Sequence, residues 1–255
     1  MEKFIQRIVR KAGEAVLKRF GKEGVHYIKS KRAWDIVTKA DLLSERIIVS
    51  AILGKYPEHG IISEERGRIN DGAEYVWIID PIDGTLNYVR NVPMFGVMVC
   101  LVHRGEVVLS AVSLPATNEL FFAKVGGGAY RNGRRIHCSV VRDLAGTFGA
   151  GATTIKARTA RFFSRLLAST EDKPLKFSST GSMASNACYT ASGGRDWIFS
   201  TSGSIWDFAP TYLILKESGC KVTDASGKPW KFGMLEMLAA NPTLHKQLLK
   251  LTKNV

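Results

Sequence analysis

Apolar residues recur with helical spacing over positions 2–20, where Phe4, Ile5, Ile8, Val9, Ala12, Val16, Leu17 and Phe20 share one face. This pattern predicts an opening amphipathic helix, followed by a basic, irregular stretch to Asp35. Ile36-Val37-Thr38 reads as a short extended piece, and residues 41–53 as a helix stopped by Pro57. Tyr75-Val76-Trp77-Ile78-Ile79 is apolar without alternation, as expected of a strand buried on both faces. From Phe95 to Cys138 the pattern predicts a strand meander, broken at Arg104-Gly105, at residues 115–118 and at the Asn132-Gly133 hairpin signal. After about residue 143 the texture changes. Helices are predicted at 156–169, 182–192, 207–218 and 242–253, with strands near 146–150, 195–200, 220–224 and 236–240. The strand-rich part (1–142) and the alternating part (143–255) are expected to form two sheets with helical layers in one compact α/β (α+β) unit.

Composition narrows the class. The 255 residues are 45% hydrophobic and 23% charged, which argues against a disordered chain. Phe95 to Val102 is only strand-length before His103 and Arg104, well short of the roughly 18–20 residues that span a bilayer. The N-terminus lacks the apolar block of a signal peptide, so a cytoplasmic protein without a membrane partner is expected. Cys100, Cys138, Cys188 and Cys220 are far apart, with no CxxC pair, which favours reduced thiols over a disulfide frame or a zinc site.

Charge is less decisive. The 36 Lys and Arg exceed the 23 Asp and Glu by 13. Basic residues gather at Lys18, Arg19, Lys22, Lys29, Lys31, Arg32 and Lys39, at Arg131, Arg134 and Arg135, and along residues 156–165. Such groups attract an anion, either nucleic acid or a small phosphorylated substrate, or simply keep a face solvated. Aromatic residues do not interleave with them as base-stacking platforms require.

The chemistry concentrates at residues 77–85, W-I-I-D-P-I-D-G-T. Asp80 falls where the buried strand should end, the usual position for ligand sites in open α/β sheets. Pro81 stiffens the turn, and Asp83 follows three residues later, so both carboxylates can face one side. Gly84-Thr85 should open a short helix whose first N–H groups suit an anion. Two such carboxylates repel, and one must take up a proton unless a cation lies between them. Mg²⁺ suits that arrangement, because it takes hard oxygen ligands. By chance the pattern D-P-aliphatic-D-G-Ser/Thr arises in about one chain of this length in ten thousand. Ser63-Glu64-Glu65 follows Ile61-Ile62, a plausible strand end, and Asp207 reads as the N-cap of the helix over 207–218, with Pro210 at its N3 position. Asp35 and Asp41 flank Thr38 as surface or capping residues. Gly126-Gly127-Gly128 reads as turn glycines, since it does not open a helix. Neither a P-loop nor a G-x-S-x-G elbow occurs.

Together these segments resemble the inositol monophosphatase family of Mg²⁺-dependent, lithium-sensitive inositol and sugar phosphatases. The matching residues are Asp35 to Thr38 with Asp41, Ile62-Ser63-Glu64-Glu65, residues 77–85, the hairpin 128–133, Trp206-Asp207-Phe208-Ala209, and Glu217-Ser218-Gly219. The resemblance implies a layered α-β-α-β-α sandwich, usually paired as a homodimer. It implies two or three Mg²⁺ ions held by Glu64, Asp80, Asp83, Asp207 and the Ile82 carbonyl. It implies that Glu64 and Thr85 orient the attacking water, with Asp41 hydrogen-bonded nearby. Ile82, Asp83, Gly84, Thr85, Ser200 and Asp207 would then face the substrate, with the Gly84 and Thr85 N–H groups on phosphate oxygens. Inositol-specific members carry a glutamate where this chain has Ser200. The activity the resemblance implies is hydrolysis of inositol 1-phosphate or a related small sugar phosphate, with Ser200 arguing for broad specificity. Fructose 1,6-bisphosphate, NADP⁺, histidinol phosphate and 3′-phosphoadenosine 5′-phosphate are the alternatives within the family. A basic scaffold binding RNA or a nucleic-acid complex is the alternative from another class.

Overall fold

The computed structural model describes residues 1–30, 35–151, 156–169 and 174–252. Lys31 and Arg32 of the basic stretch, and the last residue of the helix predicted at 242–253, lie outside them. The helices are α1 (Glu2–Leu17), α2 (Lys39–Lys55), α3 (Thr85–Val89), α4 (Ala157–Ala168), α5 (Met183–Ala191), α6 (Ile205–Glu217) and α7 (Pro242–Leu251). The strands are β1 (Tyr27–Ile28), β2 (Ile36–Val37), β3 (Gly60–Ser63), β4 (Gly67–Ile69), β5 (Tyr75–Asp83), β6 (Gly96–His103), β7 (Glu106–Leu114), β8 (Glu119–Lys124), β9 (Gly128–Arg131), β10 (Arg134–Ile136), β11 (Phe148–Gly151), β12 (Lys176–Ser178), β13 (Trp197–Ser200), β14 (Lys221–Thr223) and β15 (Met237–Ala240).

The meander closes into an eight-stranded sheet of order β10-β9-β8-β7-β6-β5-β3-β4. Its neighbours run antiparallel except β3 and β5, which are parallel. The second part builds a five-stranded sheet of order β12-β11-β13-β15-β14. There β11 is parallel to both β12 and β13.

Side-chain alternation along β5 and β6 explains the layers. Trp77, Ile79, Val97, Val99 and Leu101 point into one core with Ile5, Ile8, Val9, Ile48 and Ile52 of α1 and α2. Ile78, Met98, Cys100 and Val102 point to the other side, into a core shared with α5, α6, Ile198 and Ala239. A third core sets Phe162 and Leu166 of α4 and Leu244 and Leu248 of α7 against Trp197, Phe199 and Leu238. Reading outward to outward, the order is helices, sheet, helices, sheet, helices, the expected sandwich. The unalternating run at 75–79 is a strand buried on both faces because helices cover both sides of it. Gly149 lets β11 pass under the Trp197 ring, since a Cβ there would lie 1.9 Å from that ring.

Several element boundaries shift from the sequence expectation, among them three helix ends. The first helix stops at Leu17, where Arg19 and Phe20 N–H groups bond the Val16 and Leu17 carbonyls in a tight turn. Phe20 still packs, tilted against Tyr88 and Phe95. The second helix starts at Lys39, capped by the Thr38 hydroxyl. The sixth starts at Ile205 rather than Asp207, with Ser204 as its N-cap. Strands β1, β4 and β12 are too short and exposed to carry an apolar pattern.

Candidate metal and phosphate site

Asp80 and Asp83 lie at the end of β5, where the pairing with β6 shifts register between them. The irregularity turns both side chains to the same end of the sheet, as the D-P-I-D spacing predicts. Gly84 then takes φ 83°, and a Cβ there would meet the Met94 carbonyl at 2.9 Å. Only glycine fits this close, left-handed turn into α3.

The third carboxylate arrives from the other part of the chain. Asp207 sits at the third position of α6, and its Oδ2 accepts the Ser204 N–H. It is therefore the returning arm of the cap, not the N-cap itself, and Pro210 lies inside the helix rather than at N3. Carboxylate oxygens of Asp80, Asp83 and Asp207 all lie within 4.8 Å of one another.

The three groups are held differently. Asp83 is gripped by the start of α5: Oδ1 accepts the Met183 N–H at 3.0 Å, and Oδ2 accepts the Ala184 N–H at 2.9 Å and the Ser182 hydroxyl. Burial nevertheless pushes its pKa up to about 6, against the pull of those hydrogen bonds. Asp207 is pushed up to about 8, by burial first and by Asp83 second. Asp80 is 2% exposed, and its Oδ1 has no hydrogen-bond partner among the described residues. Burial, then the charges of Glu64, Asp83 and Asp207, drive its pKa well above the carboxylate range. A buried carboxylate oxygen without a donor, facing two more carboxylates, is a site short of positive charge. Hard oxygen donors in that arrangement fit a divalent cation such as Mg²⁺.

Glu64 stands at the margin of this group rather than inside it. Its Oε1 pairs with Lys29 Nζ at 2.6 Å, and the same ammonium lies 2.6 Å from Glu65. Lys29, which the sequence places only in a basic run, is thus a counter-charge to the acidic site. Burial works against the Lys29 charge, yet its contacts with Glu64 and Glu65 hold its pKa above the lysine range. Burial and the Glu64 charge lift Glu65 to about 7, against the pull of Lys29. Glu45 fixes the backbone here, accepting the Ser63 hydroxyl and the Glu65 and Arg66 N–H groups.

Thr85 opens α3 with its hydroxyl 2.8 Å from the Ile82 carbonyl and 3.3 Å from Asp41 Oδ1. Asp41 closes a capping box on Thr38, whose N–H reaches Asp41 Oδ2 at 2.8 Å. Burial lifts Asp41 to about 6. Ser200 ends β13 with its side chain buried, donating to the Ser202 carbonyl at 2.9 Å. Asp35 contributes its carbonyl to the β1–β2 ribbon, accepting the Lys29 N–H at 2.8 Å. The glycines 126–128 form the turn between β8 and β9, where Glu217 accepts the Gly126 and Gly128 N–H groups at 3.0 and 2.8 Å.

Sequence reasoning missed Ser182, Lys29 and Glu45. Only Ser182 left a signal, a serine at the first position of the helix predicted at 182–192, where the structure makes it the N-cap. The other two act on partners far along the chain.

Comparison with known proteins identifies the family and the fold. The chain is 37% identical over 246 residues to the Nus factor SuhB of Vibrio cholerae, covering 96% of this chain and 92% of that protein. It is 33% identical over 253 residues to the fructose-1,6-bisphosphatase/inositol-1-monophosphatase of Thermotoga maritima, covering 99% and 95%. The Thermotoga maritima IMPase structure superposes with a TM-score of 0.88 at 33% identity, over 98% of this chain and 95% of that one. The extragenic suppressor protein suhB of Bartonella henselae superposes at 0.90 with 27% identity, over 99% and 98%. A profile of the inositol monophosphatase family matches residues 1–255, and with the fold and these relatives it makes the chain a member of that family.

Proposed function

We propose that this protein is a Mg²⁺-dependent phosphomonoesterase that hydrolyses inositol 1-phosphate and related small sugar phosphates with water as the nucleophile. The observation that carries the reading is the orphaned Asp80 oxygen between Asp83 and Asp207. In this reading Asp80, Asp83, Asp207, Glu64 and the Ile82 carbonyl hold two or three cations. The bound cations supply charge neutralisation of the phosphate and a more acidic water.

The remaining roles belong to the chain. Thr85 and Glu64 orient the attacking water, and the Thr85 hydroxyl hands its hydrogen bond on to Asp41. The Gly84 and Thr85 N–H groups hold phosphate oxygens, while Asp83 and Asp207 border the same space. No side chain serves as a covalent nucleophile, so positioning and electrostatics supply the rate. Ser200 replaces a ring-binding glutamate and spares a second anionic group from facing a carboxylate. Specificity is therefore broad, extending to fructose 1,6-bisphosphate and with NADP⁺, histidinol phosphate and 3′-phosphoadenosine 5′-phosphate as further candidates. The enzyme works in the cytoplasm as a homodimer and is inhibited by lithium.

The test is phosphate release over that panel of esters, with and without Mg²⁺ and with Li⁺. Mg²⁺-dependent turnover of several of them is expected. Full activity after exhaustive chelation, or a hundredfold preference for inositol 1-phosphate, overturns the mechanism or the specificity respectively. A second reading, a scaffold for an RNA-containing complex, draws on the SuhB relatives named Nus factors and on the excess of 13 basic charges. RNA binding that falls steeply with salt, without phosphate release, would favour it.

A further inference from the structure

Four cysteines that look isolated in the sequence are not equivalent in the fold. Cys100 and Cys188 are fully buried in the central core, where burial pushes their thiols well above the usual range. Cys138 and Cys220 meet. Cys138 follows β10, and its N–H donates to the Ser218 carbonyl at 3.0 Å. The Ser218 hydroxyl lies 3.8 Å from Cys220 Sγ, and a Cβ on Gly219 would lie 3.7 Å from Cys138 Sγ. Cys138 also packs against the core cluster that contains Cys220, so its Sγ lies beside Gly219, the residue directly before Cys220.

We propose that Cys138 and Cys220 form a reversible oxidation site, which a hydroperoxide converts to a disulfide joining the exit of the eight-stranded sheet to the C-terminal turn of α6. Access favours it. Cys138 is half-buried and lines an open surface cavity of about 400 Å³ with His137, Arg142 and Gly219. Cys220 is 6% exposed, so an oxidant in solution meets Cys138 first. The neighbouring Cys220 thiol lowers the Cys138 pKa, while the Cys138 thiol and burial raise that of Cys220. Cys138 is therefore the attacking thiolate and Cys220 the resolving thiol.

The chemistry balances in two steps. Cys138 thiolate attacks the peroxide O–O bond, giving a sulfenic acid and hydroxide, which takes up the proton lost by the thiol and leaves as water. The Cys220 thiol then displaces the sulfenic oxygen, forming the S–S bond and a second water. Two thiols lose two protons and two electrons, and hydrogen peroxide is reduced to two waters. A dithiol reductant reverses the bond by exchange. The site is independent of the phosphatase reading, although α6 carries Asp207 at its other end.

The experiment treats the intact, reduced protein with hydrogen peroxide, then combines thiol titration with a non-reducing peptide map. The expected result is a fall from the four thiols of the chain to two, a linked pair of peptides containing Cys138 and Cys220, and recovery with dithiothreitol. In Cys220→Ser the sulfenic acid on Cys138 should persist long enough for dimedone to label it. Four titratable thiols after treatment, a Cys138 bond between two copies, or direct conversion of wild-type Cys138 to sulfinic acid would overturn the proposal. The wild-type map decides the matter even if a variant folds poorly.

Discussion

Asp80 combines full burial, raised pKa and an oxygen with no donor, a combination that costs stability unless a cation is present. Asp80→Asn should therefore lower kcat by at least roughly a thousandfold, on the scale of losing a strong electrostatic contact. The same change should raise the Tm of the chelated protein, because it removes a buried acid that must either hold a proton or ionise among like charges. Phosphate release and calorimetry on one preparation check both, and an unchanged kcat would refute the assignment. Thr85 separates side chain from backbone. Thr85→Ala keeps the N–H proposed for phosphate and loses the hydroxyl near Asp41, so kcat should fall by about a hundredfold with KM little changed. A raised KM at normal kcat would show that the hydroxyl only binds. Asp80 and Asp83 were legible because an unalternating apolar run leads straight into a rigid Asp-Pro turn. Lys29 was not, because nothing local distinguishes a lysine paired with Glu64 from one in solvent.

At the scale of elements, α5 is the less obvious support of the site. Ser182 caps this helix by accepting the Ser185 N–H at 3.1 Å, and its hydroxyl also donates to Asp83. Ser182→Ala removes the cap and one of the three donors on Asp83. A loss of about 1–2 kcal/mol is expected from the cap alone, read as a shifted denaturation midpoint at constant m-value. Weaker Mg²⁺ activation should accompany it, and an unaltered Mg²⁺ titration would separate α5 from the site. Element types were mostly readable from periodicity, and the ends were less so. The start of α6 was misplaced because Trp206-Asp207 suits an N-cap in isolation, whereas Ser204 and Asp207 cap the helix as a pair. Contacts such as Ser182 with Asp83 span a hundred residues and exist only once the two sheets pack around α5 and α6.

For the whole molecule, the acidic cluster ties stability to pH. Asp41 and Asp83 stand at about 6 and Asp207 at about 8, all above the ordinary aspartate value, so the folded state keeps protons that the unfolded chain has released. Stability from these groups is therefore greatest at low pH and is lost as pH rises through those values. His245 opposes this, since burial lowers it to about 4 and its contribution grows with pH up to about 6.5. The cluster is best read above that, at roughly pH 6.5–8.5, where Asp207 titrates. With chelator present the Tm should fall across this range, and saturating Mg²⁺ should flatten the slope; a slope indifferent to Mg²⁺ would disconnect the cluster from metal. The placement of the three carboxylates has one further consequence. Asp80 and Asp83 leave the ribosome long before Asp207, and a shortened product ending ahead of α6 lacks the third carboxylate of the cluster. On the phosphatase reading, a polypeptide interrupted ahead of α6 cannot assemble the cluster, so premature termination there leaves no partly active hydrolase behind.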